Sequence, residues 1–339
     1  VNPLNILIDM RVHEPALEEL KAIPGVSVRL VEPPEERARP LPLELIRECD
    51  ALFCTFPPEN LHEMTALKFI QISSAGYTQL IGKGLNERHI RASNALGVFD
   101  VPIAEWNLAM MVNLARDMRG MMHNQDVECW DRSARYQHEI RGSVVGIWGY
   151  GGIGRETARL AKALGMRVHI LTRSGVGPRT NVYCVPGTGD PEGILPDKVF
   201  RSEEKEKFLR GLDFLVLAMP QTSANTGIVG ETELRQLKET AFLLNPARGP
   251  LVNEQALIDA LRNHRIAGAA LDTHYHYPMP AGHPLWEMRN VIMTPHISGS
   301  SLSPRFLERV WDIFVQNAGK LVRGEPLLNE LSSAELDSK

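Results

Sequence analysis

No stretch of this 339-residue sequence is long and apolar enough to cross a bilayer as a helix; the longest helical apolar run, 101–115, carries Glu105 and two asparagines. Basic charge is not in surplus either. Lys and Arg number 37 against 41 Asp and Glu, a formal net charge of -4, which argues against a nucleic-acid partner. Cysteine is scarce: Cys49, Cys54, Cys129 and Cys184 show no CxxC or zinc-type spacing and read as reduced thiols. The first residues lack the basic, apolar and small-residue order of a signal peptide. These absences predict a cytoplasmic protein with neither a membrane nor a nucleic-acid partner. No internal repeat is visible beyond a general alternation of short apolar runs and amphipathic stretches.

That alternation is the main positive feature. Runs 5–9, 26–31, 51–55 and 69–72 read as strands, with helices over 15–22 and 43–49 between them. A helix over 101–118 is apolar nearly all round and needs cover from another domain or subunit. Further strands are expected at 168–171, 214–218, 241–244, 267–271 and 291–293, and helices at 203–209, 231–237, 254–261 and 303–322. The segment 175–196 is rich in Gly and Pro and has no period, so it reads as a long loop, a functional flap or disorder. Strand–helix alternation over this length predicts an α/β protein with two doubly wound parallel-sheet domains.

Gly149-Tyr150-Gly151-Gly152-Ile153-Gly154 falls between the apolar, β-branched run 143–148 and the helical spacing of Ala158, Leu160, Ala161 and Leu164. A strand, a tight glycine turn and a helix N-terminus make an anion site: backbone N–H groups are bared, and the helix dipole adds positive potential. The pattern is that of a dinucleotide fingerprint. In the NAD form of this motif an acidic residue ends the next strand and binds the ribose 2′-hydroxyl. Here that strand ends in Thr172-Arg173-Ser174, with no carboxylate. A guanidinium beside two hydroxyls suits a 2′-phosphate, so NADP is expected in preference to NAD, with Arg179 as a possible second cation.

Three later segments stand at expected strand ends: Asn245-Pro246-Ala247-Arg248-Gly249, Ala270-Leu271-Asp272-Thr273 and Thr294-Pro295-His296. Together with the glycine turn they resemble the D-isomer-specific 2-hydroxyacid dehydrogenase family, over nearly the whole chain. Leu67 to Ile70 followed by Ser74-Ala75-Gly76 is similar to the family's substrate-carboxylate loop, and Asn94 with Ile103-Ala104-Glu105 to its approach to the long helix. The resemblance implies a Rossmann nucleotide-binding domain, 101–299, inserted into a flavodoxin-like substrate domain, 1–100 and 300–339, with substrate in the cleft between them. It implies that Arg248 holds the substrate carboxylate and polarises its carbonyl, that His296 is the general acid, and that the backbone N–H groups of Ala75 and Gly76 bind the carboxylate. Asp272 is expected on the nicotinamide carboxamide. The glycine turn, Thr172 to Ser174, Ala218, Met219, Pro220, Asn245, Pro246 and Ala247 are expected around the cofactor. The implied substrates are a small 2-keto acid and its D-2-hydroxy acid, of the glyoxylate or hydroxypyruvate kind, and the implied assembly is a homodimer.

One position departs from the family. Its third catalytic residue, a glutamate that orients and charges the histidine, falls at Tyr277 in the run Asp272 to Pro278. A phenol is neutral at working pH and bonds an imidazole without stabilising its charged form. Neutral hydrogen bonds contribute about 0.5–1.5 kcal/mol and charged ones about 1.5–3, so the exchange removes about one to two kcal/mol of acid strength and positioning. The expectation is a slow or acid-shifted reductase, unless another carboxylate moves in or His274 or His276 assists. His274, His276 and His283 offer no evident third ligand, and no metal is expected. Two other functions fit the same residues: oxidation of a small anion such as formate, and a cofactor-sensing interaction protein with weak or no catalysis.

Overall fold

The computed structural model describes residues 3–337. Its backbone separates into two compact units. The first comprises Val1–Val98, Thr180–Val185 and Leu302–Lys339; the second comprises Phe99–Arg179 and Pro186–Ser301.

In the first unit the elements run β1 (Leu4–Asp9), α1 (Glu14–Lys21), β2 (Val26–Leu30), α2 (Leu43–Ile46), β3 (Ala51–Cys54), β4 (Phe69–Ile72) and β5 (Arg91–Ser93). The five strands are all parallel, in the order β2-β1-β3-β4-β5. That is the flavodoxin-like order. β3 and β4 are buried along their whole length, as strands covered on both faces must be.

The second unit runs α3 (Asp100–Ala115), α4 (Met118–Asp126), β6 (Val144–Trp148), α5 (Gly152–Ala163), β7 (Arg167–Leu171), β8 (Lys198–Phe200), α6 (Lys205–Arg210), β9 (Phe214–Leu217), α7 (Glu231–Gln236), β10 (Phe242–Asn245), α8 (Glu254–Arg262), β11 (Gly268–Leu271), α9 (Pro284–Glu287) and β12 (Val291–Met293). Its seven parallel strands are ordered β12-β11-β10-β9-β6-β7-β8. The order reverses between β6 and β9, and ligands of such sheets bind beyond the carboxyl ends of the strands at that reversal. Two apolar layers cover the sheet. One joins Trp106, Met111 and Leu114 of α3 to Ala158 and Ala161 of α5; the other is built on α6, α7 and α8 with Phe208, Leu234 and Leu257.

The chain then returns to the first unit through α10 (Pro304–Arg323) and α11 (Ser333–Leu336). Phe314 of α10 stacks on Phe53 at 4.2 Å between ring centroids, and Trp311 meets the same ring edge-on at 5.4 Å. Asn317, fully buried, gives its amide to Gln71 and Leu328 and accepts the Leu328 N–H.

The expected strands and helices are present to within a few residues, with three differences. The helix expected over 101–118 ends at Ala115; Asp117, at φ 43°, turns the chain and caps α4 by accepting the Gly120 N–H. Beyond the expected strands stand β5 and β8, each three residues at a sheet edge. The segment 175–196 has almost no regular structure, yet it is anchored rather than disordered. Tyr183 is buried in the first unit, donating its hydroxyl to Asp312, while the Asn329 side chain accepts its N–H. Asp190 is buried in the second. The chain therefore passes between the units four times instead of twice.

Candidate active site

Each glycine of the turn after β6 has its own task. Gly149 adopts φ +101°, and a Cβ there would lie 2.5 Å from the Ala218 carbonyl oxygen, so the ends of β6 and β9 meet only through a glycine. A Cβ on Gly154 would lie 2.5 Å from the Gly149 carbonyl oxygen, which sets how closely α5 packs on β6. Gly151, at the N-cap of α5, faces open space, where a phosphate can approach the backbone. Gly152 has a different neighbour: a Cβ would collide with the carboxylate of the buried Asp100. Turn, opening and helix dipole fit a dinucleotide pyrophosphate, with Ala218 and Met219 half-buried and Pro220 exposed at the neighbouring strand end.

Tyr150 is turned away from this opening. Its hydroxyl donates to Asp190 at 2.6 Å, and the Arg155 guanidinium lies 4.9 Å above its ring while donating to the carbonyls of Asp190 and Gly177. The side chain expected among the cofactor contacts instead fastens the 175–196 segment to the glycine turn. Burial and the Asp190 carboxylate push the Tyr150 phenol well above its ordinary value.

Past β7, Thr172 is half-buried and Arg173 and Ser174 are exposed. A second guanidinium stands at this corner: Arg201 donates to the Arg173 carbonyl at 3.1 Å and packs against Gly175. Nothing in the spacing of the sequence distinguishes Arg201, because β8 is what carries it there.

The remaining candidates occupy the carboxyl ends of β10, β11 and β12, three adjacent strands. Asn245 is buried, and its side chain accepts the N–H groups of Ala247 and Arg248 and donates to the Arg248 carbonyl. It shapes the turn 245–248 rather than reaching outward. Arg248 is exposed, and among the described residues its guanidinium donates to the Ala247 carbonyl at 2.6 Å. Gly249 packs so closely on the His274 backbone that a Cβ would lie 2.5 Å from it, which brings the Arg248 turn against the 274–277 turn.

Asp272 requires a correction. Its carboxylate is wholly buried; Oδ1 accepts from Thr294 Oγ1 and the Ile297 N–H, and Oδ2 accepts from the Ser298 N–H and hydroxyl. Four donors leave neither oxygen for a nicotinamide carboxamide. Asp272 instead ties down the turn that carries His296. That turn is strained: His296 sits at φ +57°, a left-handed conformation that costs a non-glycine residue about 1–3 kcal/mol. Its N–H donates to the carbonyls of Asp272 and Thr294, and Trp106 donates to Thr294 Oγ1, so the surroundings over-determine the conformation.

The His296 imidazole is exposed and makes no hydrogen bond or ion pair among the described residues; its neighbour is the Tyr277 ring, 5.7 Å away between centroids. Tyr277 is itself 60% exposed, and its hydroxyl accepts the His274 N–H at 3.1 Å. Among the described residues no carboxylate takes the missing glutamate's place. His274 donates Nε2 to the Thr294 carbonyl, and its Nδ1 is buried without a partner. His283 pairs with Glu254 at 2.9 Å, with His276 at 3.9 Å from the same oxygen. In the first unit, Ala75 and Gly76 follow β4 in a turn that Ser74 closes by donating to the Gly76 carbonyl.

A seven-stranded parallel sheet, a glycine turn at its reversal point and a histidine and arginine at neighbouring strand ends define a dinucleotide-dependent oxidoreductase. Residues 108–298 match the family described as D-isomer specific 2-hydroxyacid dehydrogenase, NAD binding domain. The chain belongs to that family, acts as a 2-hydroxyacid oxidoreductase and uses a nicotinamide cofactor. It is similar to a glyoxylate reductase of Thermococcus gammatolerans, 30% identical over 307 residues covering 86% of each chain. A hydroxypyruvate reductase of Blautia hydrogenotrophica is 28% identical over 80% of each chain. The crystal structure of a D-isomer specific 2-hydroxyacid dehydrogenase family protein from Aeromonas salmonicida superposes with a TM-score of 0.73 at 26% identity, covering 98% of this chain and 99% of that one.

Proposed function

We propose that the chain reduces a small 2-keto acid of the glyoxylate or hydroxypyruvate kind to its D-2-hydroxy acid, with NADPH preferred over NADH. The observation that carries this reading is the His296 imidazole, held in a strained turn by Asp272 yet left without a partner of its own, on the same sheet edge as Arg248. A side chain that contributes nothing to stability, on a backbone that costs stability, fits a reacting group.

The bound cofactor supplies the hydride. Arg248, planar and permanently charged, holds the substrate carboxylate and draws electron density from the carbonyl. His296 gives its proton to the carbonyl oxygen as charge builds there. Tyr277 is placed to orient the imidazole without adding charge. The N–H groups of Ala75 and Gly76 are proposed as further carboxylate donors. Arg173, Thr172 and Ser174 recognise the 2′-phosphate, with Arg201 supporting their turn. That no carboxylate among the described residues meets His296 also favours a second reading, a dinucleotide-sensing protein of low turnover.

A screen of 2-keto acids against NADPH and NADH, followed at 340 nm, tests both readings. Turnover of a small 2-keto acid that falls about 10²–10⁴-fold in His296→Ala, with NADPH binding intact, supports the reductase. NADPH bound by the wild type with no turnover of any 2-keto acid supports the sensor.

A further inference from the structure

The opposite edge of the seven-stranded sheet carries a second cationic cleft. It lies where β10, β11 and β12 begin, between the end of α3 and the chain before β12, and encloses about 330 Å³. Arg119, Arg135, His138, His264 and Arg289 line it, with Asp117 as the one carboxylate. An adjoining hollow of about 420 Å³ shares His264 and Arg289.

The charges do not cancel. Asp117 is already used, one oxygen capping α4 at Gly120 and the other facing Arg135 at 3.9 Å. Arg119 donates to the carbonyls of Trp286, Met288 and Val291, so it is fixed in place without a counter-anion. The side chains of Arg289, His138 and His264 make no hydrogen bond or ion pair among the described residues. His264 is held at φ 52° by a left-handed turn. Arg135 is met by Asp117 and, at 3.5 Å, by Asp131, which leaves the guanidinium groups of Arg119 and Arg289 without a carboxylate among the described residues; with two imidazoles beside them the space stays positive.

The geometry points to a binding site for a small multivalent oxyanion, a polycarboxylate or phosphoryl group, at this edge of the sheet, apart from the glycine turn and the catalytic strand ends. A volume of this size accommodates a metabolite rather than a polymer. Arg289 is the principal ligand, because its guanidinium is exposed and uncommitted, and planar guanidinium groups match carboxylate and phosphate geometry. The assignment stands independently of the reductase reading.

Isothermal titration of the full chain with citrate and with inorganic phosphate, in the absence and presence of saturating NADPH, tests it. The expected result is one site per chain for at least one of the two anions, retained when NADPH is bound. Arg289→Ala weakens it at least tenfold and His264→Gln weakens it further, whereas Arg173→Ala leaves it unchanged. Preference between citrate and phosphate separates the carboxylate and phosphoryl sources. The thermal midpoint of every variant, and NADPH binding by Arg289→Ala and His264→Gln, check that the fold is kept. No binding of either anion, or binding that NADPH or Arg173→Ala abolishes, or binding indifferent to Arg289→Ala, overturns the site. So does a dimer that Arg289→Glu dissociates while neither anion binds, because the cleft is then a subunit contact.

Discussion

Tyr277 stands, at the scale of one residue, where the family has a charged group. Its ring lies beside His296 and its hydroxyl accepts the His274 N–H instead of meeting the imidazole, so in the proposed reaction it offers His296 a ring contact and no charge. Tyr277→Glu restores a negative charge there, worth about 1.4 kcal/mol to the imidazolium; kcat for the keto acid is expected to rise about tenfold and the falling limb of its pH profile to move upward. A rate that stays level or drops shows that Tyr277 has a different task. Arg173 presents the corresponding choice for the cofactor. Losing a charged bond to a 2′-phosphate costs about 1.5–3 kcal/mol, so Arg173→Ala raises KM for NADPH roughly 10- to 100-fold and leaves that for NADH unchanged. Paired steady-state measurements decide it. Both positions were legible in the sequence, because each is recognised by offset from a motif. Asp272 was legible as important but not in its task; its four donors come from residues 294–298, brought to it only by the pairing of β11 with β12.

Among elements, the long segment after β7 departs furthest from its expected character. Its Gly- and Pro-rich composition gives no period, yet the second-unit part is closed by a few polar side chains. Asp190 accepts the Tyr150 hydroxyl and the N–H groups of Ile194 and Leu195, and Glu156 accepts the Gly189 N–H. Burial raises the Asp190 carboxyl, but the Tyr150 hydroxyl, the two amides and Arg155 outweigh it, and the net shift is below the ordinary 3.8. A carboxylate lowered on folding stabilises the structure above its unfolded value and ceases to do so as pH falls through its folded one. The segment should therefore stay protected from hydrogen exchange at neutral pH and loosen only below about pH 4. Asp190→Asn should exchange about tenfold faster across 189–195 at pH 7, reflecting about 1.4 kcal/mol; unchanged protection would show that Arg155 suffices. β5 and β8 escaped detection for a related reason. At a sheet edge a three-residue strand needs no apolar pattern, and Arg91-Ala92-Ser93 and Lys198-Val199-Phe200 show none.

In the whole molecule, cover for α3 was expected from another domain or subunit, and much of it comes from α5 and the sheet beside it. A group of large apolar side chains is left exposed on and after α4: Met122 at 57%, Val127 at 56% and Trp130 at 90%. We place the proposed homodimer contact there, since side chains of this size are rarely left to water together. Sedimentation equilibrium is expected to give a dimer that Met122→Asp with Trp130→Asp converts to monomer; a wild-type monomer at micromolar concentration would refute it. The sequence by itself determined the alternation of elements, the parallel sheets, the glycine turn and the residues at the strand ends, because periodicity and backbone freedom are local properties. Only the tertiary structure decided that Asp272 is spent on the His296 turn, that among the described residues no carboxylate reaches the imidazole, that Arg201 stands beside Arg173 and that residues 180–185 belong to the other unit. Those outcomes depend on side chains distant in sequence competing for the same few hydrogen bonds, and that competition is resolved when the strands pair.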